Sequence, residues 1–285
     1  MTPKDSDLIN RREAITLGVG FAAAAVTPAT AWAISTPATG LEVADVKIPA
    51  TTGVRDEIPA YVAVPAGKGP FPVAIVIHEI FGLHEYIRDV CRRLAKEGYF
   101  VVSPYLYARE GDATSIADIG ELIKKIVSKV PQQQVLSDLD ATLAWIGKDA
   151  RAKTNEVALT GFCWGGNAVW MYAAHNPKVK AGVAWYGRLV GEMSPNSPRF
   201  PVDVAPSLTV PVLGLYAEKD ANIPLTDVNK MRVEVEKGKS RSKIIVYPGT
   251  DHGFHADYRP SYNADAARLG WDEMLTWFKK NGAGA

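Results

Sequence analysis

Cysteine is nearly absent from this chain: Cys91 and Cys163 are the only two in 285 residues. A disulfide-built scaffold is thereby excluded, and at most one bridge can form. Excess charge is missing as well. The net charge is +1, which gives no electrostatic reason to expect nucleic acid or an anionic membrane as partner. The sequence has no internal repeat, long charge run, low-complexity tract or internal Ser- or Pro-rich linker, so one domain is the expected count. The apolar stretch Ala14 to Val26 is too short and too rich in Ala and Gly to form a stable membrane span. None of the five histidines, His78, His84, His175, His252 and His255, stands at a ligand spacing from Cys or acids, and no nucleotide-binding glycine fingerprint occurs. Neither a metal nor another cofactor is expected, and nothing in the pattern sets an oligomeric state.

What is present is an ordinary globular composition, 47% hydrophobic and 22% charged, behind a distinct leader. Asn10-Arg11-Arg12-Glu13-Ala14-Ile15, the apolar stretch after it and Ala31-Trp32-Ala33 resemble a twin-arginine export signal with an A-x-A cleavage pattern. The alternative is a cytoplasmic protein with an Ala-rich leader. Cleavage after Ala33 would leave residues 34–285, enough for one α/β domain with a large core, in an exported, periplasmic protein. Export raises the question of a Cys91–Cys163 bridge. Cys91 falls on the apolar stripe Ile87, Val90, Cys91, Leu94 of a helical pattern, so it reads as a buried core thiol and no bridge is expected.

Two strands, Leu41 to Ile48 and Ile58 to Val64, with a turn around Thr52-Gly53, open the domain. The continuous apolar run Phe71 to Ile77 is that of a strand covered on both faces. Glu85 to Glu97 reads as a helix and Tyr99 to Val102 as a strand. Helices follow over Ser115 to Val130 and Val135 to Lys148, split by Pro131. Then come a strand at Val157 to Thr160, a helix at Gly165 to His175, and strands at Val179 to Trp185 and Val212 to Tyr216. A helix at Leu225 to Lys237, a strand at Lys243 to Tyr247 and a helix at Asn263 to Lys279 close the chain. The Pro-rich stretch Arg188 to Leu208 lacks periodicity and reads as a long loop. Alternation from Phe71 onward predicts an α/β fold: a mostly parallel sheet with an antiparallel N-terminal edge and helices on both faces.

Three strand ends carry chemistry, where such sheets place their sites. Gly161-Phe162-Cys163-Trp164-Gly165-Gly166 is a nucleophile elbow with sulfur in place of serine oxygen. Its flanking glycines allow a close backbone approach. Asp220 follows the strand ending at Tyr216, and His252 follows the strand ending at Tyr247. Nucleophile, acid and histidine thus occur in the order of an α/β-hydrolase triad. Asp251 adjoins His252 and is awkwardly placed to bond its ring, while Glu218 competes with Asp220 as the acid.

The chain resembles the dienelactone hydrolase (carboxymethylenebutenolidase) family. The resemblance rests on His78-Glu79-Ile80-Phe81-Gly82, Ser103 to Arg109, Gly161 to Gly166, Trp185-Tyr186-Gly187, Tyr216 to Asp220 and Asp251-His252-Gly253-Phe254. It covers nearly all of residues 34–285. It implies an α/β-hydrolase that cleaves small ester or lactone substrates through Cys163, His252 and Asp220 and a thioacyl-enzyme. It implies further that Glu79 pairs with the Cys163 thiol at rest, and that backbone N–H groups of Trp164 and Ile80 form the oxyanion hole. Arg109 matches the family arginine that grips a substrate carboxylate. Tyr186, with Trp164, Trp185 and Phe254, would line an aromatic substrate pocket. The family's second arginine stands four residues after the histidine. Here that position is Ala256, and Arg259 is the nearest replacement. A general carboxylesterase without a carboxylate requirement and a non-catalytic binding protein on the same fold are the alternatives.

Overall fold

The computed structural model describes residues 33–50 and 57–285. The leader ahead of residue 33 and the turn around Thr52-Gly53 lie outside them. The chain forms strands β1 (Leu41–Pro49), β2 (Glu57–Pro65), β3 (Phe71–Ile77), β4 (Phe100–Pro104), β5 (Ala152–Phe162), β6 (Val179–Trp185), β7 (Val212–Ala217) and β8 (Lys243–Tyr247). The helices are α1 (Glu85–Lys96), α2 (Ile119–Lys125), α3 (Gln132–Ile146), α4 (Trp164–His175), α5 (Pro201–Val204), α6 (Leu225–Lys237) and α7 (Ala264–Lys280). The strands make one sheet in the order β1-β2-β4-β3-β5-β6-β7-β8. β1 and β2 run antiparallel to their neighbours, and pairing is parallel from β4 to β8. The expected α/β-hydrolase architecture is the observed one.

Strand order decides where the site sits. From β3 the chain steps through α1 to β4 on one side; from β5 it steps through α4 to β6 on the other. With right-handed crossovers, this reversal puts α1 on the opposite face from α3 and α4. The loops leaving the adjacent strands β3 and β5 therefore diverge, and a crevice opens at their carboxyl ends. Register places Ile77 opposite Gly161 at its floor. Both strands are core: Val73 to Ile77 and Val157 to Leu159 have no exposed surface.

The sequence expectation differs from the structure in three places. The single helix expected over Ser115 to Val130 is a short α2 between two 3-10 turns. Asp118 caps α2 by accepting the Glu121 N–H at 2.8 Å, which fixes a start inside the expected span. β5 begins five residues before Val157, because Ala152 and Lys153, which carry no strand pattern, pair with Phe71 and Pro72. The loop from Arg188 to Leu208 ends in the single turn of α5 and a 3-10 turn.

A strap ahead of β1 is tied to α1. The Thr36 N–H donates to Asp89 at 2.5 Å, Arg92 donates to the Thr36 carbonyl at 2.8 Å, and Lys96 donates to the Thr39 carbonyl. Asp89 is buried and also accepts from Arg92 and Arg93. Both cysteines are free, and Cys91 is fully buried, its thiol pushed well up by desolvation.

Candidate active site

The elbow is set by how closely β3, β5 and α4 approach. A Cβ on Gly165 would sit 2.4 Å from the Ile77 carbonyl oxygen, and one on Gly161 would sit 2.5 Å from the Gly165 oxygen. Only glycine fits at either point. The turn holds Cys163 at φ 53°, ψ −113°, a strained backbone that costs on the order of 1–3 kcal/mol. Trp164 opens α4, so its N–H has no acceptor within the helix.

Asp220 and His252 are held by the same stitching. The loops after β7 and β8 are joined by Glu218 N–H to the Tyr247 carbonyl at 3.1 Å and Lys219 N–H to the Thr250 carbonyl at 2.9 Å. Glu218 contributes its carboxylate to the same seam, accepting the Gly249 N–H at 2.7 Å. It braces the loop, while Asp220 meets the histidine. Asp220 Oδ1 accepts the Asn222 and Ile223 N–H groups, and Oδ2 accepts a hydrogen bond from His252 Nδ1 at 2.6 Å. Asp251 is exposed.

With Nδ1 directed at Asp220, the other ring nitrogen is left free of that carboxylate, and Cys163 is close enough to act on the ring's charge. Burial disfavours the imidazolium. Hydrogen bonds to Asp220 and Cys163, and their charge, outweigh burial and push the ring up to about 10. Tyr186 packs edge-on against His252 at 5.1 Å between ring centroids and is fully buried. Its backbone is left-handed, φ 38°.

Glu79 lies directly after β3 and is fully buried. Its partners correct the resemblance-based expectation of a resting bond to the thiol. Tyr258 Oη donates to Glu79 Oε2 at 2.6 Å, His84 Nε2 reaches the same oxygen at 3.2 Å, and Arg259 Nη2 stands 4.0 Å from Oε1. Burial alone would raise this carboxyl. Arg259, His84 and Tyr258 overturn that and hold it down to about 2. The carboxylate is thus engaged by these three groups, with Oε1 left without a hydrogen-bond partner.

Arg109 departs from expectation too. Its guanidinium forms a two-pronged ion pair with Asp138, Nη1 to Oδ2 at 2.5 Å and Nη2 to Oδ1 at 2.9 Å. Asp138 is a buried acid in the middle of α3. Arg259 is the arginine that reaches the crevice, stacked over Phe81 at 5.1 Å. Trp185 and Phe254 are core residues without exposed surface, whereas part-exposed Trp164 lines a cavity of about 40 Å³ with Val130, Val135, Leu136 and Met171.

His84, Tyr258 and Asp138 escaped the sequence reading. Asp138 carried a usable signal: it shares the buried face of α3 with Val135, Leu139 and Thr142, and a charge on a core face requires a partner. His84 and Tyr258 lie in loops and carried none. Among the described residues, no group of three or more His, Cys, Asp or Glu is placed to hold a metal ion.

A sequence profile described as "Dienelactone hydrolase family" matches residues 58–282. The chain belongs to the dienelactone hydrolase family. A relative in Methylorubrum extorquens named "Putative carboxymethylenebutenolidase" is 49% identical, over 99% of both chains. One of the same name in Escherichia coli is 48% identical over 92% of this chain and 96% of its own. The crystal structure of a "Putative Dienelactone Hydrolase" from Klebsiella pneumoniae superposes with a TM-score of 0.81 at 49% identity, covering 84% of this chain and 99% of that one. Members of this family are carboxylic ester hydrolases acting on small molecules, and this protein is one of them.

Proposed function

We propose that the protein hydrolyses small esters or lactones through a Cys163–His252–Asp220 triad and a thioacyl-enzyme. The observation that carries this reading is the His252–Asp220 hydrogen bond at 2.6 Å beside Cys163, which sits at a strained elbow. The Cys163 sulfur attacks the substrate carbonyl, and the developing oxyanion is received by the N–H groups of Trp164 and Ile80. Collapse expels the alcohol, which takes its proton from the His252 imidazolium. Water then attacks the thioester, His252 accepts its proton, and the thiolate departs with the acid released. Asp220 holds the ring in the required tautomer throughout.

The test is direct. Cys163→Ala is expected to lower ester turnover by at least about 1,000-fold. In the native protein, iodoacetamide should label Cys163 and spare buried Cys91. A rapid-quench mass spectrum should show an acyl adduct on the peptide that carries Cys163. Retained turnover in Cys163→Ala, or an adduct elsewhere, would refute the triad.

A second reading, an esterase with no need for a substrate carboxylate, is favoured by the Arg109–Asp138 pair.

A further inference from the structure

His78 is a fully buried histidine that the chemistry above does not use. Both of its ring nitrogens are engaged. The Leu106 N–H donates to Nε2 at 3.0 Å, and Nδ1 stands 2.8 Å from the Glu79 carbonyl oxygen. A backbone N–H can only donate, so Nε2 carries the lone pair and the ring proton sits on Nδ1. The imidazole is therefore a neutral donor to the Glu79 carbonyl. Burial keeps it neutral, with its pKa lowered to about 4.

The carbonyl it grips belongs to the Glu79–Ile80 peptide. That peptide is trans, so its N–H points the opposite way from its C=O. The N–H is the Ile80 donor of the proposed oxyanion hole, and fixing the carbonyl fixes its direction. The Gly82 N–H closes a turn onto the same carbonyl at 3.1 Å. Two donors on one carbonyl oxygen polarise the peptide and strengthen its N–H as a donor. Neither bond consumes the Ile80 N–H. The same imidazole lies flat against the Trp164 ring, with centroids 5.5 Å apart and planes at 11°, and Tyr107 closes on it edge-on at 4.7 Å. One packed side chain thus touches both residues whose N–H groups would receive the oxyanion.

We propose that His78 is a positioning residue for the oxyanion hole: it clamps the Glu79–Ile80 peptide and so aims the Ile80 N–H at the developing oxyanion. The proposal rests on the thioacyl reading above. A merely structural His78 would matter chiefly through Leu106, the bond that ties the loops after β3 and β4 together.

Two variants separate these roles. The amide nitrogen of Asn stands where Nδ1 stands, so His78→Asn can keep the bond to the Glu79 carbonyl while leaving the Leu106 N–H unmatched. The amide oxygen of Gln stands where Nε2 stands, so His78→Gln can keep Leu106 while releasing the carbonyl. Both lose the ring that packs on Trp164. With p-nitrophenyl acetate, kcat of His78→Gln is expected at least about 10-fold below that of His78→Asn, with KM values within about 3-fold of each other. The inhibition constant of a trifluoromethyl ketone, which forms a tetrahedral oxyanion on Cys163, should rise by the same factor as kcat falls. Alkylation of Cys163 by iodoacetamide forms no oxyanion and should proceed at similar rates in the two variants. Equal kcat in both, a higher kcat in His78→Gln, or alkylation that slows in step with kcat makes His78 structural and overturns the proposal. The wild-type protein supplies a check that needs no variant: nitrogen NMR at neutral pH should find the His78 proton on Nδ1, and a proton on Nε2 refutes the clamp. Each of these failures leaves Cys163-dependent turnover intact, whereas turnover independent of Cys163 defeats the triad reading beneath it.

Discussion

At the scale of single residues, Glu79 is where charge and burial conflict most. A carboxylate with no solvent contact stays ionised because Arg259, His84 and Tyr258 surround it. Its carboxyl is lowered in the folded state from 4.5 to about 2. The resulting stability is fully present above the unfolded value and lost as pH falls through the folded one, that is, between about pH 4.5 and 2. Glu79→Gln should therefore lie below the wild-type protein at neutral pH by an amount on the order of a few kcal/mol, with the gap closing toward pH 2. Urea unfolding of both proteins across that range measures it. A gap independent of pH would contradict the ionised state. The residue's location was legible in the sequence, from its place after an apolar strand. Its partners were not, because His84 and Tyr258 come from loops whose approach depends on the completed sheet.

At the scale of elements, the elbow was read almost in full from local pattern. Glycines at 161 and 165 announced a close approach before the partner was known, and the structure supplies it: the carbonyl of Ile77 on the neighbouring strand. Gly165→Ala puts a methyl group 2.4 Å from that oxygen, so β3 and α4 must separate. We expect a loss on the order of 3 kcal/mol or more, seen in urea unfolding, with activity lost in whatever remains folded. A variant as stable as wild type would show that the approach is slack. Arg109 marks the limit of such reading. Its segment matched the family, yet its guanidinium is held by an acid on α3, a helix far from it in sequence. A motif fixes what a residue can bond, and packing decides what it does bond.

At the scale of the whole molecule, the alternation of strands and helices determined the architecture. The antiparallel edge and the parallel body followed from strand patterning and connection length, both local properties. The strap of residues 34–39 did not, since it has no periodicity and is ordered by side chains of α1. Asp89 and Arg92 lose their backbone partners if the strap is removed. A chain starting at Gly40 should unfold roughly 5–10 °C below one starting at Ile34, given about 2–4 °C per kcal/mol for a domain of this size. Calorimetry of the two forms decides it, and equal midpoints would show that the strap contributes nothing.

The crevice between β3 and β5 has one further consequence. The proposed oxyanion donors and nucleophile follow the last paired rung of β3 and β5, Ile77 beside Gly161. Loops and helices that leave this rung in opposite directions can lengthen, shorten or change sequence without altering the distance across it. The reacting geometry is thus insulated from the segments that select the substrate. Such a scaffold can exchange one recognition group for another while its chemistry stays the same.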